Sequence, residues 1–543
     1  MMKKAIKKLL AALLAVAMVC AMAIPAFAFE SWETEEDLNK NHDYIAFQIF
    51  KGVISSKDNP TLSDVTWGSH ITHPDDFLEK LKDAPIIGAQ FHSIDATDAT
   101  DAATVQKVLA VISQWNDSDD DSIAFARFVC HYLYSNGDPQ STIVGGGGAI
   151  KIPEPGYYLI VDTINFNDGD HYHAYNSFLL VNDTHQGEYN VIINHKVVKP
   201  TVEKKVYDND NNDISSAGGW GSSADHAINE KFQFQLIAKL PAGRDEGRAY
   251  DYYDKYTVCF NDTLSEGITY DGLDSVVIES NGTPYDITND SSKYDIDISN
   301  LKSQNSFVVK IHDVKNCVAN LNDGATITVT YTAHLNDNAA VNSTSGSTDN
   351  KNKVQLQYSN NPRNSAYWGF TPESEVRVYT YQLNNTKYRD DDTTGNELAG
   401  AGFRLYSDKD CTEEQEIKLK KNTTDGTYSP YFGAGAGDEM FSDEHGQFNV
   451  KGLDAGTYYL RETNPPKDYS ACDDKEIVIS ATHDVNHVSL SGNLSTTIIN
   501  KKAGGITLPS TGGIGTTIFY VVGGGLMVAA IVLLVTKKRM ENK

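Results

Sequence analysis

The feature that most constrains the fold is a long series of short runs in which apolar and polar residues alternate. Such runs include 232–236 (FQFQL), 326–331 (TITVTY) and 354–358 (VQLQY). Alternation suits a strand with one buried and one solvated face, and the clusters of Asp, Asn and Gly between the runs predict turns. We therefore predict a mainly β fold with tandem Ig-like β-sandwich domains at 199–375 and 376–501.

The preceding region, 29–198, predicts a mixed α/β domain. Residues 44–52 (YIAFQIFKG) are rich in aromatic and branched side chains and end in glycine, which is typical of a strand. Apolar residues recur at helical spacing over 101–116, which predicts an amphipathic helix there. A second helix is expected over 123–134.

Both termini carry export and anchoring features. Residues 1–28 have a lysine-rich start, an apolar stretch and an Ala-Phe-Ala cleavage site, which together indicate a signal peptide. Residues 502–543 contain an uncharged apolar run, 514–535, long enough for a transmembrane helix, and then a basic tail. The formal charge of −27 becomes more negative when both ends are removed, which argues against nucleic-acid binding.

Five cysteines remain after the signal peptide is removed, and export permits disulfides. If the domains are separate, the pairings within a domain are Cys259 with Cys317 and Cys411 with Cys472. Cys130 is then the odd cysteine, and we expect it to be buried in an apolar helix.

The two β domains share a layout of a lysine in the first strand, an acid in a middle strand and an asparagine in the last strand. The first set is Lys204 or Lys205, with Asp262 and Asn352; the second is Lys387, Glu462 and Asn500. Because strand side chains alternate, Lys204 is expected to point inward with Val202 and Val206, and Lys205 outward.

At these positions the sequence resembles the sortase-assembled backbone pilins of Gram-positive bacteria. The resemblance is carried by 199–206 (KPTVEKKV), 261–267 (NDTLSEG), 352–362 (NKVQLQYSNNP) and 458–463 (YYLRET), the last being similar to the pilin E-box. The E-box usually has a glycine before its tyrosine, whereas this chain has Asp468. At the C-terminus, Leu508-Pro509-Ser510-Thr511-Gly512 matches the L-P-x-T-G sorting signal.

The resemblance implies an intramolecular Lys–Asn isopeptide bond in each β domain, with Asp262 and Glu462 as the catalytic acids. It also implies cleavage between Thr511 and Gly512 by a class C pilin sortase, polymerisation with other copies of the chain and with ancillary pilins, and attachment to peptidoglycan by a housekeeping sortase. The expected location is the cell wall surface, reached through a transient membrane anchor, and host surface ligands are conceivable partners.

Polymerisation needs a lysine that receives the Thr511 acyl group. In the family this lysine ends a Tyr-Pro-Lys motif just before the middle domain. Here 191–196 (VIINHK) provides the apolar strand and Lys196, but Asn-His replaces Tyr-Pro. Lys199 is the alternative.

The sequence contains no complete motif for metal binding or for catalysis on an external substrate. The acidic runs at 208–213 and 390–395 start like calcium loops but lack the glutamate at position twelve, so no metal site or cofactor is predicted. The common hydrolase and nucleotide-binding motifs are absent from the sequence. We therefore expect a structural protein and not an enzyme. The alternatives are an ancillary pilin, a monomeric wall-anchored adhesin and, less favoured, a surface hydrolase.

Overall fold

The fold is known from a computed structural model, which describes residues 42–54, 62–115, 120–135, 142–146, 150–152, 154–164, 176–180, 189–191, 200–209, 219–240, 253, 255–318, 321, 324–342, 349–360, 368–492 and 494–503. By its contacts the chain divides into two compact units. The first unit holds the described residues up to Tyr381 together with Ala481–Leu490. The second holds Gln382–Ser480 and the described residues from Ser491 onward.

The N-terminal part of the first unit combines strands with helices. Its strands are β1 (His42–Ile54), β2 (Leu62–Trp67), β3 (Thr142–Gly146), β4 (Ile150–Ile152), β5 (Gly156–Ile164), β6 (Asn176–Leu180) and β7 (Tyr189–Val191). Its helices are α1 (Pro74–Lys82), α2 (Ala102–Ile112) and α3 (Asp120–Ser135), with a 3-10 turn at Gly88–Phe91. Strands β2, β1, β5 and β6 form one sheet in that order, β3 also pairs with β1, and β4 pairs with β7.

This mixed architecture agrees with the expectation for the region. Helix α2 buries Val105, Val108, Leu109 and Ile112, the residues whose helical spacing predicted it. Their side chains belong to the same apolar cluster as Phe47 of β1, so the helix covers one face of the sheet. The helices predicted over 101–116 and 123–134 are confirmed.

The rest of the first unit is mainly β. Its strands are β8 (Thr201–Tyr207), β9 (Trp220–Gly221), β10 (Ser223–Asp225), β11 (Lys231–Lys239), β12 (Val258–Leu264), β13 (Ile268–Ser280), β14 (Thr283–Asp286), β15 (Tyr294–Asp297), β16 (Ser306–Ile311), β17 (Thr326–Leu335), β18 (Asn350–Ser359), β19 (Trp368–Phe370) and β20 (Ser374–Tyr379). Two short helices, α4 (Leu301–Gln304) and α5 (Val314–Cys317), lie between strands. One sheet has the order β14-β13-β17-β11-β8-β9 and the other β10-β20-β18-β12-β16-β15, with β19 on β18.

These two sheets form a sandwich. Along β17 every second residue is buried, including Val329 and Tyr331, and these side chains share one apolar core with Val354 and Leu356 of β18 in the other sheet. The alternation in the sequence therefore marks the inner faces of the sandwich. At one edge the backbone N–H of Lys204 on β8 donates to Ser374 Oγ at the start of β20, at 2.9 Å.

The second unit is also built from two sheets. Its strands are β21 (Tyr381–Arg389), β22 (Gly402–Tyr406), β23 (Glu416–Ile417), β24 (Leu419–Lys421), β25 (Tyr428–Pro430), β26 (Met440–Phe441), β27 (Val450–Leu453), β28 (Gly456–Asn464), β29 (Lys475–His483), β30 (Val488–Gly492) and β31 (Ser495–Asn500), with a 3-10 turn at Glu413–Gln415. The first residue of β21, the end of β29 from Ala481 and the start of β30 up to Leu490 are grouped by their contacts with the first unit. One sheet has the order β24-β25-β27-β21-β31 and the other β23-β22-β28-β29-β30, with β26 on β22. The first strand, β21, and the last, β31, are parallel neighbours.

Two local expectations differ from the structure. The domain boundary expected at 375 falls inside β20, which pairs with β18, and the contacts divide the chain after Tyr381. The strand expected at 446–450 forms only an isolated bridge at Gln447 before β27 begins. Gly446 has a φ of +72°, which breaks a strand, and its carbonyl accepts a hydrogen bond from the Lys387 N–H at 2.7 Å.

The cysteine pairings expected from export are not formed. Cys259, Cys317, Cys411 and Cys472 are all free thiols. The Cys317 thiol donates to the carbonyl of Asp313 within its own helical turn at 3.3 Å, so it faces the backbone and not Cys259. Cys411 Sγ lies 4.0 Å from a carboxylate oxygen of Asp474. Cys130 is buried in α3, as expected.

Among the described residues no helix combines the length and the apolar character needed to cross a bilayer. The predicted signal peptide and the apolar run 514–535 lie outside the described ranges.

Gly446 provides a test of the local packing beside Lys387. An alanine Cβ there would lie 2.3 Å from the Lys387 carbonyl oxygen, in addition to the cost of a positive φ. Gly426 has a similar φ of +77° but open space around its Cβ position. We expect Gly446→Ala to lower the free energy of unfolding by roughly 1–3 kcal/mol more than Gly426→Ala, because only the former adds the clash.

Chemical denaturation of the two variants and of the unaltered chain measures this difference. Equal losses in the two alanine variants would show that the close approach of Gly446 to Lys387 contributes nothing.

Candidate functional site

The first triad, consisting of Lys204, Asp262 and Asn352, lies inside the sandwich of the first unit. Lys204 is on β8 in one sheet, whereas Asp262 on β12 and Asn352 on β18 are in the other. All three residues are at most 2% exposed. The inward orientation predicted for Lys204 is confirmed, since Lys205 is half-buried with its Nζ 3.4 Å from a carboxylate oxygen of Glu203.

One hydroxyl group connects the first triad. Lys204 Nζ contacts Asp262 Oδ2 and lies 3.1 Å from Tyr331 Oη. The same tyrosine donates to Asp262 Oδ1 at 3.2 Å and accepts from Asn352 Nδ2 at 2.5 Å. The buried carbonyl oxygen of Asn352, Oδ1, accepts no hydrogen bond from any described residue. The amine, the acid and the amide are thus gathered around Tyr331, and the amide oxygen is open to a further donor.

Burial shifts both ionisable groups of the first triad toward their neutral forms. The removal of water lowers the pKa of Lys204 to about 8 and raises the pKa of Asp262. The surroundings are aromatic, with Nζ 5.3 Å from the ring centres of both Phe234 and Tyr331. A proton passed from the ammonium to the carboxylate therefore leaves a nucleophilic amine next to a carboxylic acid.

The second triad, consisting of Lys387, Glu462 and Asn500, lies inside the second unit. Lys387 on β21 and Asn500 on β31 belong to adjacent parallel strands of one sheet, in which Lys387 pairs with Ile498. Glu462 projects from β28 in the other sheet. The side chains of Lys387 and Glu462 are fully buried, and Asn500 is 1% exposed.

The contacts in the second triad form a closed triangle. Lys387 Nζ contacts Asn500 Oδ1 and lies 3.4 Å from Glu462 Oε1. Asn500 Nδ2 donates to the same Oε1 at 2.7 Å, and the backbone N–H of Cys472 donates to Oε2 at 2.8 Å. Burial lowers the pKa of Lys387, which lies over the ring of Phe403 at 5.3 Å.

The turn that follows Glu462 accommodates the residue that departs from the E-box pattern. Asp468 has a φ of +73°, a left-handed conformation that glycine adopts freely and that aspartate tolerates better than most residues. The Tyr469 N–H donates to the Pro466 carbonyl at 3.1 Å, and the Asp468 carbonyl accepts from the Ala503 N–H at 2.7 Å. The turn is thus kept despite the substitution.

Two groups that hydrogen-bond to the triads were not predicted from the sequence. Tyr331 was part of a predicted strand, and its position on the inward-facing alternation was the available signal for a buried hydroxyl. The backbone N–H of Cys472 had no sequence signal. Asn352 is also not on the last strand of its sheet, because β19 and β20 follow it and both pair with β18.

The residues predicted to take part in polymerisation are not among those that the structure describes. Lys196, Lys199 and the sorting motif with Leu508, Pro509, Thr511 and Gly512 lie outside the described residues, so their predicted roles rest on sequence alone.

Comparison with known families gives two matches, both at the C-terminal end of the chain. Residues 384–493 match a family model described as a prealbumin-like fold domain (SpaA), and residues 500–542 match one described as an LPXTG cell wall anchor motif. The chain is a cell-wall-anchored surface protein, and the second triad lies mostly inside its prealbumin-like domain.

No curated protein sequence matches the chain. Among solved structures, it is similar to the T6 backbone pilin of Streptococcus pyogenes at 15% identity, covering 86% of this chain and 97% of that one, with a TM-score of 0.43. The major pilin GBS80 fragment of Streptococcus agalactiae aligns at 21% identity over 56% of this chain and 99% of that one, with a TM-score of 0.41. The major pilin SpaD of Corynebacterium diphtheriae aligns at 18% identity over 68% and 82%, with a TM-score of 0.38.

The lowered pKa of Lys204 predicts a pH dependence of stability when Asn352→Ala leaves the amine free. Between pH 8 and pH 10.5 the unfolded lysine holds its proton while the folded lysine has released it, so the unfolded state binds more protons. The free energy of unfolding therefore rises with pH across this window, by up to about 3 kcal/mol from this group.

Denaturant unfolding of Asn352→Ala and of Lys204→Met/Asn352→Ala measures the effect as a difference, which cancels titrating groups that do not interact with Lys204. The difference should increase from pH 8 to pH 10.5. A difference independent of pH would contradict a lowered pKa for Lys204.

Proposed function

We propose that the chain is a structural subunit of a covalently polymerised pilus and that each triad forms an intramolecular isopeptide bond. The observation that carries the proposal is the repeated burial of a lysine against an acid and an asparagine, in two separate units of one wall-anchored chain. Burying a charged group costs several kcal/mol unless other interactions compensate. Two buried clusters of ionisable groups are therefore expected only where a further gain in stability, such as a covalent bond, offsets this cost.

The geometry supports a specific reaction. The lysine Nζ lone pair attacks the asparagine Cγ, the Nζ–Cγ bond forms, and the Cγ–Nδ2 bond breaks as ammonia leaves. The buried acid donates a proton to the amide and recovers one from the attacking nitrogen, so it is unchanged at the end. The fold holds the reacting groups in contact, which replaces an encounter in solution with a high effective concentration.

The acids differ in how they reach the amide. In the second triad Glu462 Oε1 already accepts from Asn500 Nδ2 and lies 3.4 Å from the lysine nitrogen, so one oxygen faces both the nucleophile and the leaving group. In the first triad Asp262 contacts the lysine, and the Tyr331 hydroxyl lies between the acid and the amide. We infer that Tyr331 positions Asn352 for attack.

The two bonds would strengthen the units in different ways. A Lys204–Asn352 bond would join the two sheets of the first sandwich. A Lys387–Asn500 bond would join the first and last strands of the second unit, which are parallel neighbours in one sheet. The joined residues are 148 and 113 positions apart in the chain. Cross-links closing loops of this size contribute about 5 kcal/mol each in the chain-entropy model.

A load-resistant unit suits a fibre subunit better than a binding domain or an enzyme. In the proposed fibre, a pilin sortase cleaves after Thr511 and transfers the acyl group to Lys196, or to its alternative Lys199, of the next copy. A housekeeping sortase then links the finished polymer to peptidoglycan. The chain itself acts as a structural element, and the acids Asp262 and Glu462 catalyse only their own cross-links.

Intact mass measures the bonds directly. The full-length chain, expressed in a host without sortases and reduced, should be lighter than its sequence by two ammonia molecules. Asn352→Ala and Glu462→Ala should each prevent the loss of one ammonia molecule, after the mass change of the substitution itself is taken into account. Asn350→Ala is the matched control, because Asn350 is buried on the same face of β18 and contacts no lysine of the triads.

A folded chain with the unmodified mass would refute the bonds. Proteolytic peptides joined through Lys204 or Lys387 locate each bond and separate loss of ammonia at a triad from deamidation elsewhere.

Polymerisation is tested separately in Gram-positive cells that express a pilin sortase. The unaltered chain should give a ladder of detergent-resistant species, because its copies are linked covalently. Lys196→Ala should abolish the ladder, and Lys199→Ala should leave it intact. A reversal of the two variants would move the acceptor to Lys199. If the unaltered chain gives only monomers and wall fragments, the backbone role is wrong and a monomeric wall-anchored protein becomes the better description.

A further inference from the structure

A third buried polar cluster shares no residue with either triad. Asp208 follows β8, Asp225 ends β10 and His483 ends β29, and all three belong to the first compact unit. Their residues are 1%, 0% and 1% exposed. Two carboxylates and an imidazole buried together call for a compensating group, since an uncompensated buried charge is costly.

The ligand atoms of this cluster converge. One carboxylate oxygen of Asp208, one of Asp225 and a ring nitrogen of His483 all lie within 4.8 Å of one another. His483 Nε2 is 3.3 Å from Asp225 Oδ1. Atoms that share a four-coordinate metal ion at about 2.1 Å lie somewhat closer than this, so a small inward movement of the side chains would complete the site.

Two further observations point to a bound cation. Neither oxygen of the fully buried Asp225 carboxylate accepts a hydrogen bond from a described residue, although buried carboxylates almost always do. On the other side of the imidazole, Ser223 Oγ lies 2.9 Å from His483 Nδ1. A hydroxyl that accepts from Nδ1–H directs the Nε2 lone pair toward the carboxylates, as the outer partners of metal-binding histidines do.

An ion pair between protonated His483 and Asp225 is the competing explanation. It would still leave both oxygens of the Asp225 carboxylate without a hydrogen bond from a described residue. Arg377 lies opposite Ser223 in the sheet, and its guanidinium pairs with Asp349 at 3.1 Å. Among other titratable groups, His226 and Glu230 lie 3.7 Å from each other, and the Tyr379 ring lies 5.4 Å from the His483 ring. A divalent cation balances both carboxylates and leaves the imidazole neutral.

We propose that Asp208, Asp225 and His483 bind a divalent transition-metal ion, with Zn²⁺ the best match. One imidazole nitrogen with two carboxylate oxygens is a zinc-type donor set, whereas Ca²⁺ and Mg²⁺ favour ligands that are all oxygen. The bound ion would hold the segment Ala481–Leu490 against β10 in the first unit. It would act as a structural clamp in addition to the covalent bonds.

Zinc content tests the site. The full-length chain is purified in detergent, stripped with a chelator, mixed with zinc chloride and desalted before elemental analysis. The unaltered chain should keep about one zinc ion, and its unfolding temperature should rise with zinc concentration. Asp225→Asn and His483→Gln should lose both the retained zinc and the temperature shift. Cobalt in place of zinc should give visible absorption bands in the unaltered chain and not in the Asp225→Asn and His483→Gln variants.

The matched control is Asp271→Asn. Asp271 also faces a histidine, with an oxygen 2.8 Å from His334 Nδ1, but this pair is more exposed and has no third ligand in the cluster. This variant should keep the zinc. The proposal is overturned if the folded, unaltered chain retains no zinc, or if Asp225→Asn retains as much, which would place adventitious zinc elsewhere. Should the Asp225 and His483 variants fail to fold, the retained zinc and cobalt spectrum of the unaltered chain still decide.

Discussion

The structure depends on the burial of a lysine amine inside each β-sandwich unit. Such a charge is tolerated only when an acid and a hydrogen-bonding amide surround it, and both triads meet this condition with the acid in the sheet that faces the lysine. The same burial lowers the pKa of the amine, so the arrangement that makes the site costly to assemble also favours the neutral, nucleophilic form of the lysine. A covalent bond at this point would remove the charge and the cost together.

The two triads bring a lysine, an acid and an asparagine together through different strand arrangements. In the first unit the lysine faces an asparagine and an acid that both come from the opposite sheet, and a tyrosine hydroxyl connects them. In the second unit lysine and asparagine are neighbours in one sheet, and a backbone N–H from Cys472 orients the acid. If each triad forms the proposed bond, pulling on the chain ends would load the two bonds differently, since one would span the two sheets of a sandwich and the other two adjacent strands.

Much of the candidate site followed from local pattern. The alternation around Lys204 correctly predicted which of two adjacent lysines is buried, because a strand admits only every second residue to the core. Other features were not predictable from local pattern. Gly446 begins a run that looks like a strand but packs against the Lys387 backbone with a positive φ. The spacing of the cysteines did not predict their free thiols, since Cys317 faces the backbone of its own helical turn. Two further strands, β19 and β20, follow the strand of Asn352, and the turn residues in the sequence did not predict them as separate strands of this sheet.

The sequence by itself determined the fold class, the β periodicity, the two sets of lysine, acid and asparagine, and the wall-anchoring signal, because each is expressed within a few residues or at a chain end. Only the tertiary structure decided which groups meet. Tyr331 joins the first triad from another strand, and His483 reaches Asp225 across more than half of the described chain. Contacts of this kind depend on strand order and register, and these are set by how the whole core packs and not by any short stretch of sequence.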